Sequence, residues 1–371
     1  MENKYSNSPK PSVFQSVDNF TMLTIRLNNS RTRELANSRT VKGSILMIAL
    51  WSLCLLASFA VILGYGVRQK LILVQRLDER DKLHFIAEAG VKKAIAEIKN
   101  TNWASQTNSA LKDEWSNNIE AFSDIAVGNG KFNVCYNYID DVSGAQTVWW
   151  GMVDEERKIN INKINIENMS VLKTLFRLVL NFDDTQAQEL AASIIDWRDD
   201  DNLLSIEAGS AEDRYYMDLE YPYKAKNADF QVLEELLLVK GMTQDSFEKL
   251  KNYITVYGGG EININTASKI VLLSLGLNEP IVDNILAFRA GDDKIVGTSD
   301  DYVFNSSSEV VEKLNPVCNL TELDKGLLNA LAVKSSNFLI RSVANLNNRQ
   351  NTGETVCIVS WKGKILYWQE S

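Results

Sequence analysis

Apolar and polar positions divide this chain into sharply different stretches. Residues 1–42 are polar, rich in Ser and Asn and without clear periodicity, and read as a flexible leader. Gly43 to Val67 then runs for 25 residues without one charge. As a helix that run would reach roughly 37 Å, more than the ~30 Å hydrocarbon core of a bilayer. A helix so uniformly apolar suits no soluble domain. It is also longer than the apolar part of a secretory signal, and no A-x-A site follows it. The pattern predicts a single transmembrane helix over 44–67. From Arg68 to Ile98 there is no proline, and apolar residues recur at Leu73, Leu77, Phe85, Ala89, Ile95 and Ile98 with charges between them. The helix is therefore expected to continue over 68–100 as an amphipathic one.

Beyond it the period changes twice. KFNVCYNY (131–138) and Val148 to Val153 read as strands. After Arg157 the character is helical, through segments such as VLKTLFRLVL, TQDSFEKLKNYITVY and EPIVDNILAFRA. From Asn337, FLIRSVANL, TVCIVSW and KILYW are short runs rich in β-branched and aromatic residues, separated by NNRQNTGE and Lys362-Gly363, and predict an antiparallel meander. The fold class that follows is α+β: a long N-terminal transmembrane and amphipathic helix, a small antiparallel sheet built from 101–158 and 335–371, and a large α-helical domain inserted over 159–334. Within the insertion Ile164-Asn165-Ile166, followed by Ser170, echoes Ile262-Asn263-Ile264, followed by Ser268, which predicts two related strand-then-helix units.

Composition narrows the chemistry. The chain has 371 residues and a formal net charge of −9, against a generally cationic nucleic-acid binder. Its one histidine, His84, excludes a His-rich zinc site, and its four cysteines lack C-x-x-C spacing. No constellation supports an enzyme. Lys and Arg number five in the twenty residues on each side of the apolar run, so charge leaves the membrane orientation open.

The residues themselves carry a resemblance. The uncharged helix after Gly43 continues into AEAGVKKAIAEI (87–98), which resembles the type IV pilin and pseudopilin class. IIDWRDDDN (194–202), then GSAEDRYYMDLEYPYKAKNADFQVLEELLLVKGM (209–242), then YITVYGGGEININTASKIVLLSLG (253–276) resemble the K-type minor pseudopilins of the type II secretion system, over roughly residues 43–371. The resemblance implies a pilin-like sheet with an inserted α-domain, and a cytoplasmic leader over 1–43. It implies cleavage by a prepilin peptidase between Gly43 and Ser44, N-methylation of Ser44, and an inner-membrane protein whose bulk is periplasmic. It implies a place at the pseudopilus tip, with the I, J and H minor pseudopilins and the major pseudopilin as partners. The fifth residue after the cut is Ile48, where shaft subunits usually carry a Glu that compensates a neighbour's amine within lipid. Its absence suits a subunit at the tip. The leader is long for this family, which makes Met22 a second candidate start.

Two sets of side chains are candidate sites. Asp196, Asp199, Asp200, Asp201, Glu207, Glu212 and Asp213 lie within eighteen residues. Such oxygen density suits Ca²⁺, although the spacing is not that of an EF-hand, and a solvated acidic loop accounts for it equally. The K-type resemblance implies calcium in the α-domain, and Asp199, Asp201, Glu212 and Asp213 are the expected ligands. Arg198 and Arg214 could instead neutralise some of these carboxylates. In an oxidising compartment Cys318 and Cys357 could bridge the end of the insertion to the meander, or remain separate thiols, with Cys135 a competing partner. Two readings rival the tip subunit. One is a minor pilin of a type IV pilus. The other is a membrane-tethered DNA receptor, because LLLVKGM (236–242) and LLSLGL (272–277) resemble helix-hairpin-helix half-sites. The acidic company of Gly241 opposes phosphate binding, so no nucleic-acid partner is expected.

Overall fold

The computed structural model describes residues 42–100, 103, 105–207, 209–314, 325–347 and 351–371. Helix α1 (Lys42–Asn100) is unbroken over 59 residues. As far as Gln69 it is a unit of its own, exposed along its length from Ser44, and among the described residues it is the one helix long and apolar enough to cross a membrane. No proline removes a backbone donor within it, so every peptide group in the apolar stretch can bond along the helix, as a lipid environment requires.

From Lys70 the chain forms the second unit. Here α1 buries Leu83, Ile86, Ala87, Val91, Ala94 and Ile98, one face at helical spacing. The sequence pattern had placed that face at Leu73, Leu77, Phe85, Ala89, Ile95 and Ile98. Of these only Ile98 is fully buried, and Phe85 is 63% exposed. Small residues explain the rotation. A Cβ on Gly90 would stand 2.1 Å from Ser342 Oγ and 2.9 Å from the Phe132 ring, so the glycine lets the helix backbone close onto the sheet.

Helix α2 (Ile119–Phe122) is capped by Asn118, whose side chain accepts the Ala121 N–H. It leads into the hairpin of β1 (Ile125–Val127) and β2 (Gly130–Val134). The single strand expected over 131–138 is broken at Cys135. Beyond it β3 (Tyr136–Ile139) pairs with β4 (Gln146–Trp149) as a separate hairpin. Its inward residues make a small core of their own, with the Tyr138 and Trp149 rings stacked 4.0 Å apart. Strand β5 (Val153–Asp154) then precedes the inserted block.

The block has two modules. In the first, β6 (Ile159–Asn160) pairs in parallel with β7 (Ile254–Thr255) around α3 (Ser170–Leu180), α4 (Asp184–Asp196), α5 (Asp213–Met217) and α6 (Gln244–Leu250). In the second, β8 (Ile262–Asn263) pairs in parallel with β9 (Leu331–Ala332) around α7 (Lys269–Ser274), α8 (Glu279–Arg289), α9 (Ser307–Leu314) and α10 (Lys325–Asn329). The same buried wiring recurs in both. The Asn162 side chain donates to Phe230 O (2.9 Å) and accepts Phe230 N–H (2.9 Å), as Asn265 does with Phe304 (3.0 and 2.9 Å). Asn160 and Asn263 each accept the N–H two residues on. Arg198 donates to Ile164 O and Arg289 to Ala267 O. The repeat therefore aligns Ile159-Asn160-Ile161 with Ile262-Asn263-Ile264, five residues earlier than the Ile164-Asn165-Ile166 match read from sequence. Both modules share one apolar core that includes Leu172, Leu236, Ile264, Val282 and Phe304.

The chain then returns through β10 (Asn337–Leu346), β11 (Thr352–Ser360) and β12 (Ile365–Glu370), an antiparallel meander. The sheet order is β1-β2-β10-β11-β12, with β5 also paired to β10. Alternation along β10 and β11 turns Phe338, Ile340, Ala344, Cys357 and Val359 toward α1 and toward Trp103, Trp115 and Met152. The insertion thus leaves the sheet after β5 and rejoins it at β10, two strands that are directly paired through Asp154 and Phe338.

Candidate metal centre

Helix α4 brings the first ligand candidate into place. Its N-terminus is fixed by a capping box between Asp183 and Gln186. Its apolar face, including Ala187, Leu190 and Ile194, drives it into the core, so its last residue, Asp196, ends fully buried. One turn on, Asp199 projects to the same side. The loop then comes back through Gly209, whose φ of +115° and 2.3 Å approach to Glu189 exclude a side chain. It delivers Glu212, buried, at the start of α5.

Carboxylate oxygens of Asp196, Asp199 and Glu212 lie within 4.8 Å of one another. Asp196 accepts the Ser205 N–H at 3.0 Å. Asp199 Oδ1 and both oxygens of Glu212 are buried without any hydrogen-bond partner. In the same segments Trp197 meets Tyr216 edge-on at 5.0 Å, and Tyr216 stacks on Tyr223 at 5.3 Å. Burial, and then the Asp196 charge, push the Asp199 carboxyl up to about 6 and the Glu212 carboxyl up to about 7. Three acids converging at this range repel one another as they stand. Hard oxygen donors with free lone pairs fit a divalent cation such as Ca²⁺, which would supply the missing charge and the missing partners.

The expected ligands divide. Asp199 and Glu212 meet at the cluster, together with Asp196. Asp201 is exposed and accepts the Leu203 N–H at 2.7 Å. Asp213 turns away to accept the Ala225 N–H at 3.0 Å and to pair with Lys224 at 3.2 Å. The signal for Asp196 was present in the sequence: it stands three residues before Asp199 at the end of an apolar helix, where i and i+3 share a face. Neither arginine forms an ion pair with the cluster among the described residues. Arg198 donates to the carbonyls of Ile161, Asn162 and Ile164 and reaches Asp229, while Arg214 forms no ion pair among the described residues.

The remaining candidates lie elsewhere. Gly43 and Ser44 belong to the first turn of α1. Cys357 is a buried free thiol in β11, pushed up to about 12 by burial, whereas Cys318 lies outside the described residues. Lys240, the base beside Gly241, donates to the Gly209 carbonyl at 2.8 Å and is not free to meet a phosphate.

Residues 157–259 match the family model described as type II secretion system protein K, first domain. The type II secretion system protein K of Pectobacterium carotovorum subsp. carotovorum is 33% identical over 146 residues, 35% of this chain and 44% of that one. The protein K of Aeromonas hydrophila is 24% identical over 193 residues, 50% of this chain and 55% of that one. The chain thus spans about half the length of the curated relatives it matches. A chain of the GspK-GspI-GspJ complex crystal structure from enterotoxigenic Escherichia coli shares the fold with a TM-score of 0.61 at 15% identity, over 80% of this chain and 99% of that one. The segment 157–259, which carries the acidic cluster, is the part of the chain that matches the type II secretion system protein K family model.

Proposed function

We propose that the chain is a minor pseudopilin that initiates or caps the pseudopilus tip of a type II secretion system, in support of protein export across the outer membrane. The observation that carries the reading is the family match inside a block that interrupts a small antiparallel sheet behind an apolar helix. The apolar part of α1 anchors the subunit once through the inner membrane, with the sheet and the insertion in the periplasm. Helix packing within the membrane recruits the I- and J-type partners, and the H-type and major pseudopilins follow in the assembly. The insertion between β5 and β10 is too bulky to repeat along a shaft but suits an end. No catalytic role is assigned. Ca²⁺ at Asp196, Asp199 and Glu212 serves the architecture by pinning the loop of α5 to the end of α4.

Prepilin processing is part of this reading. Intact mass of the protein recovered from membranes tests it. The expected chain begins at N-methylated Ser44. A chain that keeps residues upstream of Ser44 would rule out processing and leave an ordinary anchored protein.

A further inference from the structure

Three consecutive acids, Asp154, Glu155 and Glu156, stand where the chain leaves the sheet for the insertion, and all three are buried. Each reaches a different part of the fold. Glu155 turns to the first module, pairing with Lys158 at 2.5 Å and accepting the Thr255 hydroxyl at 2.5 Å. Asp154 turns to the second module, accepting the Thr266 hydroxyl at 2.5 Å and the Asn263 amide at 3.1 Å. Glu156 turns to the returning chain, accepting the backbone N–H groups of Ser336 and Asn337 at 3.0 Å each and the Asn337 side chain at 2.8 Å. Glu155 has a cation. Asp154 and Glu156, 1% and 6% exposed, have none among the described residues, and the Glu156 carboxyl also hydrogen-bonds Asp154.

The surroundings offer no other compensation. On the same turn Lys158 is committed to Glu155, and Arg157 lies over the Tyr138 ring at 5.9 Å. From β3, the Tyr136 phenol is held neutral and bonded to Ser116. The segments packed against the pair from β8 and from the start of β10 present Asn263, Thr266, Ser335 and Asn337, all uncharged. Burial raises both carboxyls above the ordinary range, and the Asp154 charge raises Glu156 further.

We propose that Asp154 and Glu156 form a proton-operated latch, in which one proton shared between the two carboxyls clamps β5, the second module and the start of β10 together, and loss of that proton loosens the insertion from the sheet. The sign follows from linkage. The folded pair holds a proton that the unfolded chain releases at about pH 4, so the clamp is fully present below that and is lost progressively as pH rises to the raised titration of the pair.

The test is hydrogen exchange of the full chain in detergent micelles, followed at the Ser336 and Asn337 amides and corrected for intrinsic exchange, from about pH 5 to about pH 9. Protection should fall by up to tenfold per pH unit from the acid end and level off above the raised titration of the pair. In Glu156→Gln it should be flat with pH, because the amide needs no proton. In Asp154→Asn, Glu156 loses its charged neighbour, and the fall should level off at lower pH than in the wild type. Flat protection in the wild type, an unchanged slope in Glu156→Gln, or an unmoved plateau in Asp154→Asn would each overturn the latch. The Asp154→Asn comparison decides the matter if Glu156→Gln does not fold.

Discussion

Removing calcium from the full-length protein is expected to lower its melting temperature, and Glu212→Gln is expected to erase the difference. At calcium about a hundredfold above its dissociation constant, binding to the folded state alone adds about 2.7 kcal/mol. In an inserted block of roughly 175 residues with one shared core, that is a rise of about 5–10 °C. The variant gives a sharper test than chelation. Without metal, Glu212 is a buried acid with two unpartnered oxygens, beside Asp196 and Asp199. Gln relieves the repulsion, so the calcium-free variant should melt above the calcium-free wild type, and below the loaded wild type. A purely solvated acidic loop would give no calcium response and no such crossing. Thermal scans of both proteins, in calcium and in chelator, check it.

The second large effect is expected at Phe338. Its ring is fully buried where the insertion rejoins the sheet, 5.0 Å from Trp115 and 5.3 Å from Trp103. Phe338→Ala should cost about 3–5 kcal/mol through lost burial and the cavity left behind. Because Phe338 belongs to the sheet core and the acidic cluster to the helical core, the calcium-induced rise should survive in the variant. Denaturant unfolding with and without calcium separates the two. A loss under about 1 kcal/mol would mean that the rings can close the gap.

Some of this architecture could be read directly from residues. The 25 uncharged positions from Gly43 to Val67 admit little but a membrane helix, and the β-branched and aromatic residues of FLIRSVANL and TVCIVSW mark strands. The face of α1 was harder. Alanine and glycine carry almost no signal in a hydrophobic pattern, yet Ala87, Gly90 and Ala94 decide how closely the helix meets the sheet. The module repeat was visible but out of register, because Ile-Asn-Ile occurs at 159 and again at 164. The parallel pairing of Ile159 with Ile254 and of Ile262 with Leu331, with the matching Asn162 and Asn265 hydrogen bonds, shows which copy corresponds. In the acidic run, charge density marked the region but could not sort its members. Asp201 and Asp213 satisfy backbone N–H groups nearby, a choice that depends on loop geometry, while the end of α4 buries Asp196. The Asp154–Glu156 pair left no sequence signal, since it is completed by residues more than a hundred positions away.

The central claim is that this subunit stands at a pseudopilus tip with other minor pseudopilins. The most direct measurement is isolation of the tagged full-length protein from membranes of cells that produce the whole secretion system, with mass spectrometry of what accompanies it. The account predicts a complex with the I- and J-type minor pseudopilins, in comparable amounts, on a chain that begins at Ser44. Recovery of the processed chain without either partner would contradict it.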